Sequence, residues 1–156
     1  MTSRLIPVLT VAAILEATGG LDAAAAIDAA QVITARQENL KTLGKTFKAL
    51  REELSKPAPD RAAIVGDSQT ILKLSQALPT WFPAGSGPEA GIKTAAKPEI
   101  WAKPAQFTEV ASAISLQTGK LSELAVAGDF AAIAAQTKET ATACGNCHKD
   151  FRVKDD

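Results

Sequence analysis

Residues 28–56 read DAAQVITARQENLKTLGKTFKALREELSK, and the spacing of their apolar side chains decides the fold. Those side chains fill two rows of a seven-residue repeat: Ile33, Leu40, Phe47 and Leu54 in one row, and Leu43 and Leu50 in the other. This heptad pattern is typical of a helix that packs in a bundle. Arg36 stands where the second row predicts another leucine, so one charged side chain is expected at the seam.

A second helix and a long connection follow. Pro57 and Pro59 end the first helix near Lys56, and Asp60 is a suitable N-cap for the second. One face of the second helix carries its apolar and small side chains: Ile64, Ser68, Ile71, Ser75 and Leu78. Residues 79–104 then contain five of the eight prolines and both tryptophans. Because the tryptophans lie there, we expect a packed crossover loop and not a flexible linker.

The last part of the chain predicts two more helices. Pro104 suits the first turn of a third helix, Gly128 ends it, and Asp129 caps a fourth. The seven-residue rows are Phe107, Ile114, Leu121 and Val110, Gln117, Leu124 in the third helix, and Phe130, Thr137, Cys144, Phe151 and Ile133, Thr140, Cys147 in the fourth. Both cysteines should therefore face the core. Short links within each helix pair predict an all-α fold, an antiparallel four-helix bundle with a long loop between helices two and three.

Composition excludes several functions. The 156 residues are typical of one domain, and 17 basic side chains balance 17 acidic ones. Nucleic-acid-binding proteins normally carry a basic excess, so we expect no nucleic-acid partner. Aromatic residues make up only 4%, which favours helices over a β-sandwich or barrel. With two cysteines and one histidine, the common four-ligand and three-histidine zinc sites are excluded.

The N-terminus is typical of an export signal. Arg4 supplies a positive charge, and the apolar run after it is too short to span a bilayer. We therefore predict a cleaved signal peptide over residues 1–25 and the mature four-helix bundle over residues 26–156, which implies a periplasmic protein with no membrane anchor after cleavage. A buried N-terminal helix is the alternative, since Glu16 is unusual in such a signal.

Cys144-Gly145-Asn146-Cys147-His148 carries the chemistry, because C-x-x-C-H is the attachment signature of a c-type haem. Residues three and four apart share a helix face, so both sulfurs can bond one edge of a porphyrin while the imidazole reaches its iron. Three alternatives compete: a redox-active dithiol, a structural disulfide, and a zinc site that would lack a fourth ligand. We expect one covalent haem c per chain, with His148 as the iron ligand.

The sixth iron ligand follows by elimination. Electron-transfer cytochromes usually add a second His or a Met, but His148 is the single histidine and Met1 would leave with the signal peptide. We therefore expect five-coordinate iron with an open or plugged distal side. Leu40 could plug that side, and Gly44 on the same face could admit a flat group. Arg36 is expected to pair with haem propionates; the alternative is an arginine at the bundle end that reaches water.

Four segments, in order along the chain, are similar to those of one known family. They are Arg36-Gln37-x-x-Leu40, Phe82-Pro83-x-Gly85-Ser86, Lys97-Pro98-Glu99-Ile100-Trp101 and Cys144-x-x-Cys147-His148-x-x-Phe151-Arg152. The chain resembles cytochrome c′. The resemblance implies that Leu40 covers the distal haem face and, because low-spin relatives carry methionine there, that the iron is high-spin. It also implies that Arg152 lies beside the proximal histidine and can interact with bound nitric oxide; a solvated charge near a helix C-terminus is the alternative.

Two function classes remain. The first is a protein that binds nitric oxide and carbon monoxide at the iron. The second is an electron carrier in a periplasmic respiratory or photosynthetic chain, with an unknown redox partner protein. The open iron site favours the first, since a carrier gains from two strong ligands. We expect no enzyme, because no acid–base pair for peroxide cleavage is evident. The resemblance also implies a homodimer that pairs through the first helix.

Overall fold

The computed structural model describes residues 28–154, and four long helices account for most of them. The helices, in chain order, are α1 (Ala29–Leu54), α2 (Arg61–Ala77), α3 (Glu99–Ala102), α4 (Pro104–Ala127) and α5 (Phe130–Phe151). Residues 78–103, here called the crossover, join α2 to α4 and contain α3 and two 3₁₀ helices, Leu78–Trp81 and Pro88–Ala90. The predicted signal peptide lies outside the described residues. Among the helices of residues 28–154, none combines the length and the apolarity that a bilayer crossing requires.

Capping residues set the helix boundaries. The Asp28 carboxylate accepts hydrogen bonds from first-turn amides of α1 at 3.0 and 3.1 Å, and Asp60 does the same at α2. Asp129 accepts one at the start of α5, at 3.0 Å. These bonds satisfy N–H groups that have no partner within the helix. α4 begins at Pro104 and ends at Gly128, whose φ of 86° is the left-handed conformation that glycine tolerates. The predicted boundaries at these residues are confirmed.

The long helices are arranged as a bundle with one open seam. α1 packs along α2, α2 along α4, and α4 along α5, whereas α1 and α5 are in sparse contact. Residues 55–60 and 128–129 form short links, so each linked pair runs antiparallel. The predicted antiparallel four-helix bundle is confirmed. The seam between α1 and α5 is where the candidate site lies.

Aliphatic side chains from all four long helices fill one part of the bundle. We call this group the heptad core; its buried members are Leu50, Ile64, Ile71, Leu121, Ala125 and Ile133. All except Ala125 belong to the rows that the sequence predicted to face inward. Burying one such large aliphatic side chain contributes about 1.5–3 kcal/mol, so this group is a main source of stability.

A second group, the crossover core, fills the part of the bundle beneath the crossover. Its buried members are Leu78, Ile100, Phe107, Ala111 and Phe151. The Phe107 ring packs edge-on against Phe82 at 5.0 Å and against Phe151 at 5.3 Å between centroids. Edge-to-face pairs of this kind add to the stabilisation from burial alone. The crossover is therefore a packed loop, as predicted.

Three sequence predictions are corrected. α1 ends at Leu54 and not at Lys56, because Ser55 bonds back to the last turn ahead of the prolines. Leu78 is buried as expected but belongs to a 3₁₀ helix, since the proline after it disfavours a continued α-helix. Phe130 is 37% exposed although its heptad row predicted burial, because it is the first residue of α5.

Candidate haem site

A cavity of about 450 Å³ opens between α1 and α5. This volume is in the range of small-molecule and cofactor sites. All six side chains that the sequence analysis predicted to bind the cofactor line this one cavity: Arg36, Leu40, Cys144, Cys147, His148 and Arg152. Residues of the crossover line another side of this cavity, and apolar residues of α2 and α4, among them Ile71 and Ile114, line the rest of it.

The C-x-x-C-H motif forms the α5 wall of the cavity. Cys144, Cys147 and His148 line it, whereas Gly145 and Asn146 are exposed and lie outside it. Helical spacing explains this division, because residues three and four apart share a face. Both cysteines are half-buried, and His148 lines the cavity while remaining exposed to solvent. One helix turn therefore presents two sulfurs and an imidazole to the same space.

The two thiols do not have the properties of a redox-active pair. They are free, and burial raises the pKa of Cys144. The pKa of Cys147 rises to about 11, first through burial and then through the negative charges of Cys144 and Asp150. Reactive dithiols require a lowered pKa, because the thiolate is the nucleophile. The disulfide and dithiol alternatives are therefore disfavoured.

The imidazole of His148 is held in its neutral form. Partial desolvation in the cavity wall lowers the pKa of His148, and the positive charge of Arg152 lowers it further. A neutral ring keeps a nitrogen lone pair available near neutral pH, which is the form that ligates a metal. This environment suits a histidine that binds iron.

The part of the α1 wall around Leu40 and Gly44 is apolar and leaves space near its backbone. Leu40 is 36% exposed although it occupies a heptad row, because it lines the cavity and belongs to neither buried core. Gly44 lines the cavity one turn later, and a Cβ placed there would meet no atom within 4 Å. α1 therefore offers a surface that a large flat group can approach closely.

Arg36 is buried beneath the crossover. Its side chain is 2% exposed, so the alternative of an arginine that reaches water at the bundle end is wrong. The guanidinium donates to the Ser86 hydroxyl at 3.1 Å, to the Ser86 carbonyl at 3.0 Å and to the Thr94 hydroxyl at 3.0 Å. Its central carbon lies 4.8 Å from the Phe82 ring centroid and 5.7 Å from that of Trp101. Hydrogen bonds and cation–π contacts thus hold the charge in place.

The hydrogen-bond partners of this buried charge are neutral. Ion pairs among residues 28–154 join Lys48 to Glu52 and Lys56 to Glu53, and none involves Arg36. Burial lowers the pKa of Arg36, and the more distant charge of Glu89 offsets this only in part. A desolvated cation without a counter-ion is costly, so an acidic group that entered the cavity would be stabilised beside it.

Ser86 and Thr94 were not identified as site residues from the sequence. Ser86 is fully buried, and its hydroxyl donates to Pro83 while it accepts from Arg36. Gly85 before it has a φ of 78°, which allows the tight turn that presents Ser86. The only sequence signal was the Gly-Ser pair in the crossover, because Arg36 and Ser86 are 50 positions apart.

Arg152 follows α5 and lies at the rim of the cavity. Its amide donates to the His148 carbonyl at 3.1 Å, and its backbone pairs antiparallel with Ala96 of the crossover. The Val153 amide donates to the Ala95 carbonyl at 2.8 Å, and the Lys97 amide to the Phe151 carbonyl at 3.0 Å. This short pairing of residues 95–97 with 151–153, here called the clasp, joins the crossover to the end of the C-x-x-C-H helix.

These residues fit a haem c. Two thiols and one imidazole share the α5 wall, and the α1 wall has open space at Gly44. Arg36, a buried cation without an ion pair in residues 28–154, lines the same cavity. In residues 28–154, His, Cys, Asp and Glu side chains form no group of three that could hold a bare metal ion. Cys144, Cys147 and His148 are the residues that would hold a covalently attached haem, which supplies the iron together with its own four nitrogen ligands.

Comparisons with known proteins agree with this geometry. A family profile described as cytochrome c′ matches residues 31–152. The cytochrome c′ of Rubrivivax gelatinosus is 31% identical over 120 residues, which cover 76% of this chain and 92% of that protein. Its crystal structure superposes with a TM-score of 0.73 at 28% identity and covers 80% of this chain and 97% of that one.

A second relative was solved with gases bound. Two leucine variants of cytochrome c′ from Alcaligenes xylosoxidans carry nitric oxide in one structure and carbon monoxide in the other. Both are 26% identical to this chain, with TM-scores of 0.73 and 0.72, and cover 81% of it and 97% of their own length. Sequence profile, curated relatives and solved structures all indicate the same family. The chain therefore belongs to the cytochrome c′ family, whose members bind haem c covalently.

Proposed function

We propose that the chain is a periplasmic c-type cytochrome that binds nitric oxide and carbon monoxide at a five-coordinate haem iron. In this proposal Cys144 and Cys147 bond the haem and His148 ligates its iron. The observation that carries it is the single cavity that has the C-x-x-C-H motif on its α5 wall and Leu40 on its α1 wall. The comparisons establish the family and its covalent haem c. The residues that hold the haem, the coordination of its iron and the gases that bind the iron are part of the proposal.

The coordination is supported by the residues that line the cavity. His148 is the only histidine of the chain, and the only methionine is Met1. Lys41 also lines the cavity, but its side chain is exposed to solvent. Apart from the two cysteines that would bond the haem, no described side chain of the cavity other than His148 is a ready iron ligand. An apolar group at Leu40 then leaves the distal position to small uncharged molecules.

Arg36 and Arg152 have distinct proposed roles. Arg36 is a buried cation without an ion pair in the described residues, and a haem propionate would supply the missing negative charge. Arg152 lines the cavity next to His148, so its guanidinium can interact with a gas bound on that side. Carbon monoxide and nitric oxide are the ligands in the structures of the Alcaligenes xylosoxidans relative.

The spectrum tests the coordination and the ligands. The reduced holoprotein should have the high-spin spectrum of a five-coordinate haem and should change on addition of nitric oxide or carbon monoxide. A low-spin reduced spectrum that neither gas alters would contradict gas binding and would favour the electron-carrier alternative. A double Cys144→Ala, Cys147→Ala variant is the control, because it should lose covalent haem while the heptad core stays intact.

Export and attachment are tested by mass. The periplasmic protein should have the mass of a chain that begins within a few residues of Ala25, plus one haem. The mass of the bare chain from Met1 would contradict both the predicted cleavage and the predicted haem attachment.

Sedimentation at micromolar concentration tests the proposed homodimer. Four charged side chains are exposed on α1, so any pairing there is partly polar: Glu38, Lys41, Lys45 and Lys48.

A further inference from the structure

Lys97 contributes two hydrogen bonds to the contact between the crossover and the end of α5, one from its backbone and one from its side chain. The Lys97 amide donates to the Phe151 carbonyl at 3.0 Å, and the Lys97 ammonium donates to the Lys149 carbonyl, also at 3.0 Å. The last four carbonyls of a helix have no partner within it. Lys97 therefore satisfies two of these carbonyls in α5, one with its backbone and one with its side chain.

We infer that Lys97 is a positioning residue for the proximal imidazole. His148 lies one residue before Lys149 in the same turn, and its own carbonyl accepts from the Arg152 amide at 3.1 Å. The bonds to Lys149 and Phe151 therefore hold the helix turn that follows directly from His148. If that turn frays, the imidazole and Arg152 lose their fixed relation to the cavity. The inference rests on the proposed ligation by His148.

Two further features of Lys97 agree with this role. It precedes Pro98, which disfavours a helical backbone at Lys97 and keeps it extended for pairing. Its ammonium also lies at the C-terminal end of α5, where a positive charge is favourable. The neighbouring crossover residue Lys93 is exposed, and within residues 28–154 its ammonium makes no hydrogen bond or ion pair. Lys93 is therefore a matched control for loss of a crossover lysine.

The test compares three holoprotein variants. Lys97→Met keeps the aliphatic stem and removes the donor, Lys97→Arg restores a cationic donor, and Lys93→Met is the control. The first readout is the iron–imidazole stretching band in the resonance Raman spectrum of the reduced protein. We expect Lys97→Met to shift or broaden this band, and we expect the other two variants to match wild type. A purely structural lysine would lower thermal stability without moving the band, and that result would overturn the inference.

The second readout is hydrogen exchange in the wild-type protein, which does not depend on any variant folding. The Lys97 and Val153 amides lie outside the helices and are bonded only through the clasp. We expect the Lys97 and Val153 amides to exchange at least about tenfold more slowly than an unprotected amide. In the Lys97→Met variant the Arg152 amide should exchange roughly threefold to tenfold faster than in wild type, which matches the loss of one solvent-exposed hydrogen bond of ordinary strength. Unprotected clasp amides in the wild type would also overturn the inference.

These outcomes are separate from failure of the proposed function. A wild-type protein without covalent haem, or with haem but no iron–imidazole band, would contradict the ligation by His148. Wild-type protein with the band, together with a Lys97→Met spectrum identical to that of Lys93→Met, would contradict only the role of Lys97.

Discussion

The two cores of this bundle are built on different principles. The heptad core consists of aliphatic side chains that each helix presents at seven-residue intervals, with no polar group required to align them. The crossover core is aromatic, draws on a loop, and encloses the buried charge of Arg36. The cavity lies where the two meet on the α1–α5 side. The comparison indicates that one core supplies stability while the other shapes a binding site.

The largest expected effect is in the heptad core. Leu50 is fully buried, so Leu50→Ala should lower the free energy of unfolding by about 3–5 kcal/mol through lost burial and a cavity. Chemical denaturation followed by circular dichroism measures this. Leu50→Met is the control, because it conserves volume and should cost less than about 1.5 kcal/mol. Equal costs for both variants would show that packing in this core is loose.

Arg36 tests the crossover core. Arg36→Met keeps an apolar stem but leaves the Ser86 carbonyl without its donor, whereas the Thr94 hydroxyl still accepts from the Ala96 amide, so the cost should be about 1–3 kcal/mol in unfolding free energy. Arg36→Lys keeps the charge but cannot make the same forked contacts, so it should be intermediate. Trp101 fluorescence should report a loosened crossover before the helices unfold. If Arg36→Met were as stable as wild type, the crossover would not depend on the cation.

Leu40 tests the cavity between the cores. Under the proposed function, a gas that binds at the iron must displace this side chain, which costs on the order of 1–3 kcal/mol. Leu40→Ala should therefore raise carbon monoxide affinity by roughly one to two powers of ten. Leu40→Met should instead shift the reduced spectrum toward low spin, because it adds a thioether ligand. Equal carbon monoxide titrations of wild type and Leu40→Ala would mean that Leu40 does not face the iron.

The smallest effect concerns a polar contact inside the bundle. The Ser75 and Thr118 hydroxyls are 2.7 Å apart between α2 and α4, and Thr118 also donates to the Ser115 carbonyl. Ser75→Ala should therefore cost only about 1 kcal/mol, since Thr118 keeps a partner. Differential scanning calorimetry would detect the change as a shift of a few degrees. A loss comparable to that of Leu50→Ala would show that hydroxyl pairing, and not aliphatic packing, holds α2 to α4.

The sequence by itself determined the bundle, its caps and the attachment motif. Heptad spacing depends only on the helix period, a cap depends on the residue beside the amides that it satisfies, and the C-x-x-C-H face depends on positions three and four apart. These are local relations, so the boundaries at Asp60 and Asp129 and the shared face of Cys144, Cys147 and His148 could be predicted without coordinates.

Only the tertiary structure decided how the crossover completes the site. Arg36 is buried because it contacts Ser86 and Thr94, which lie 50 and 58 positions further along the chain. No local sequence pattern predicts contacts between residues so far apart. The same holds for Lys97, whose partners Lys149 and Phe151 belong to the last helix. Contacts of this range depend on how the packed elements bring distant residues together. That is why the sequence identified the residues that would hold the haem but not those that position them.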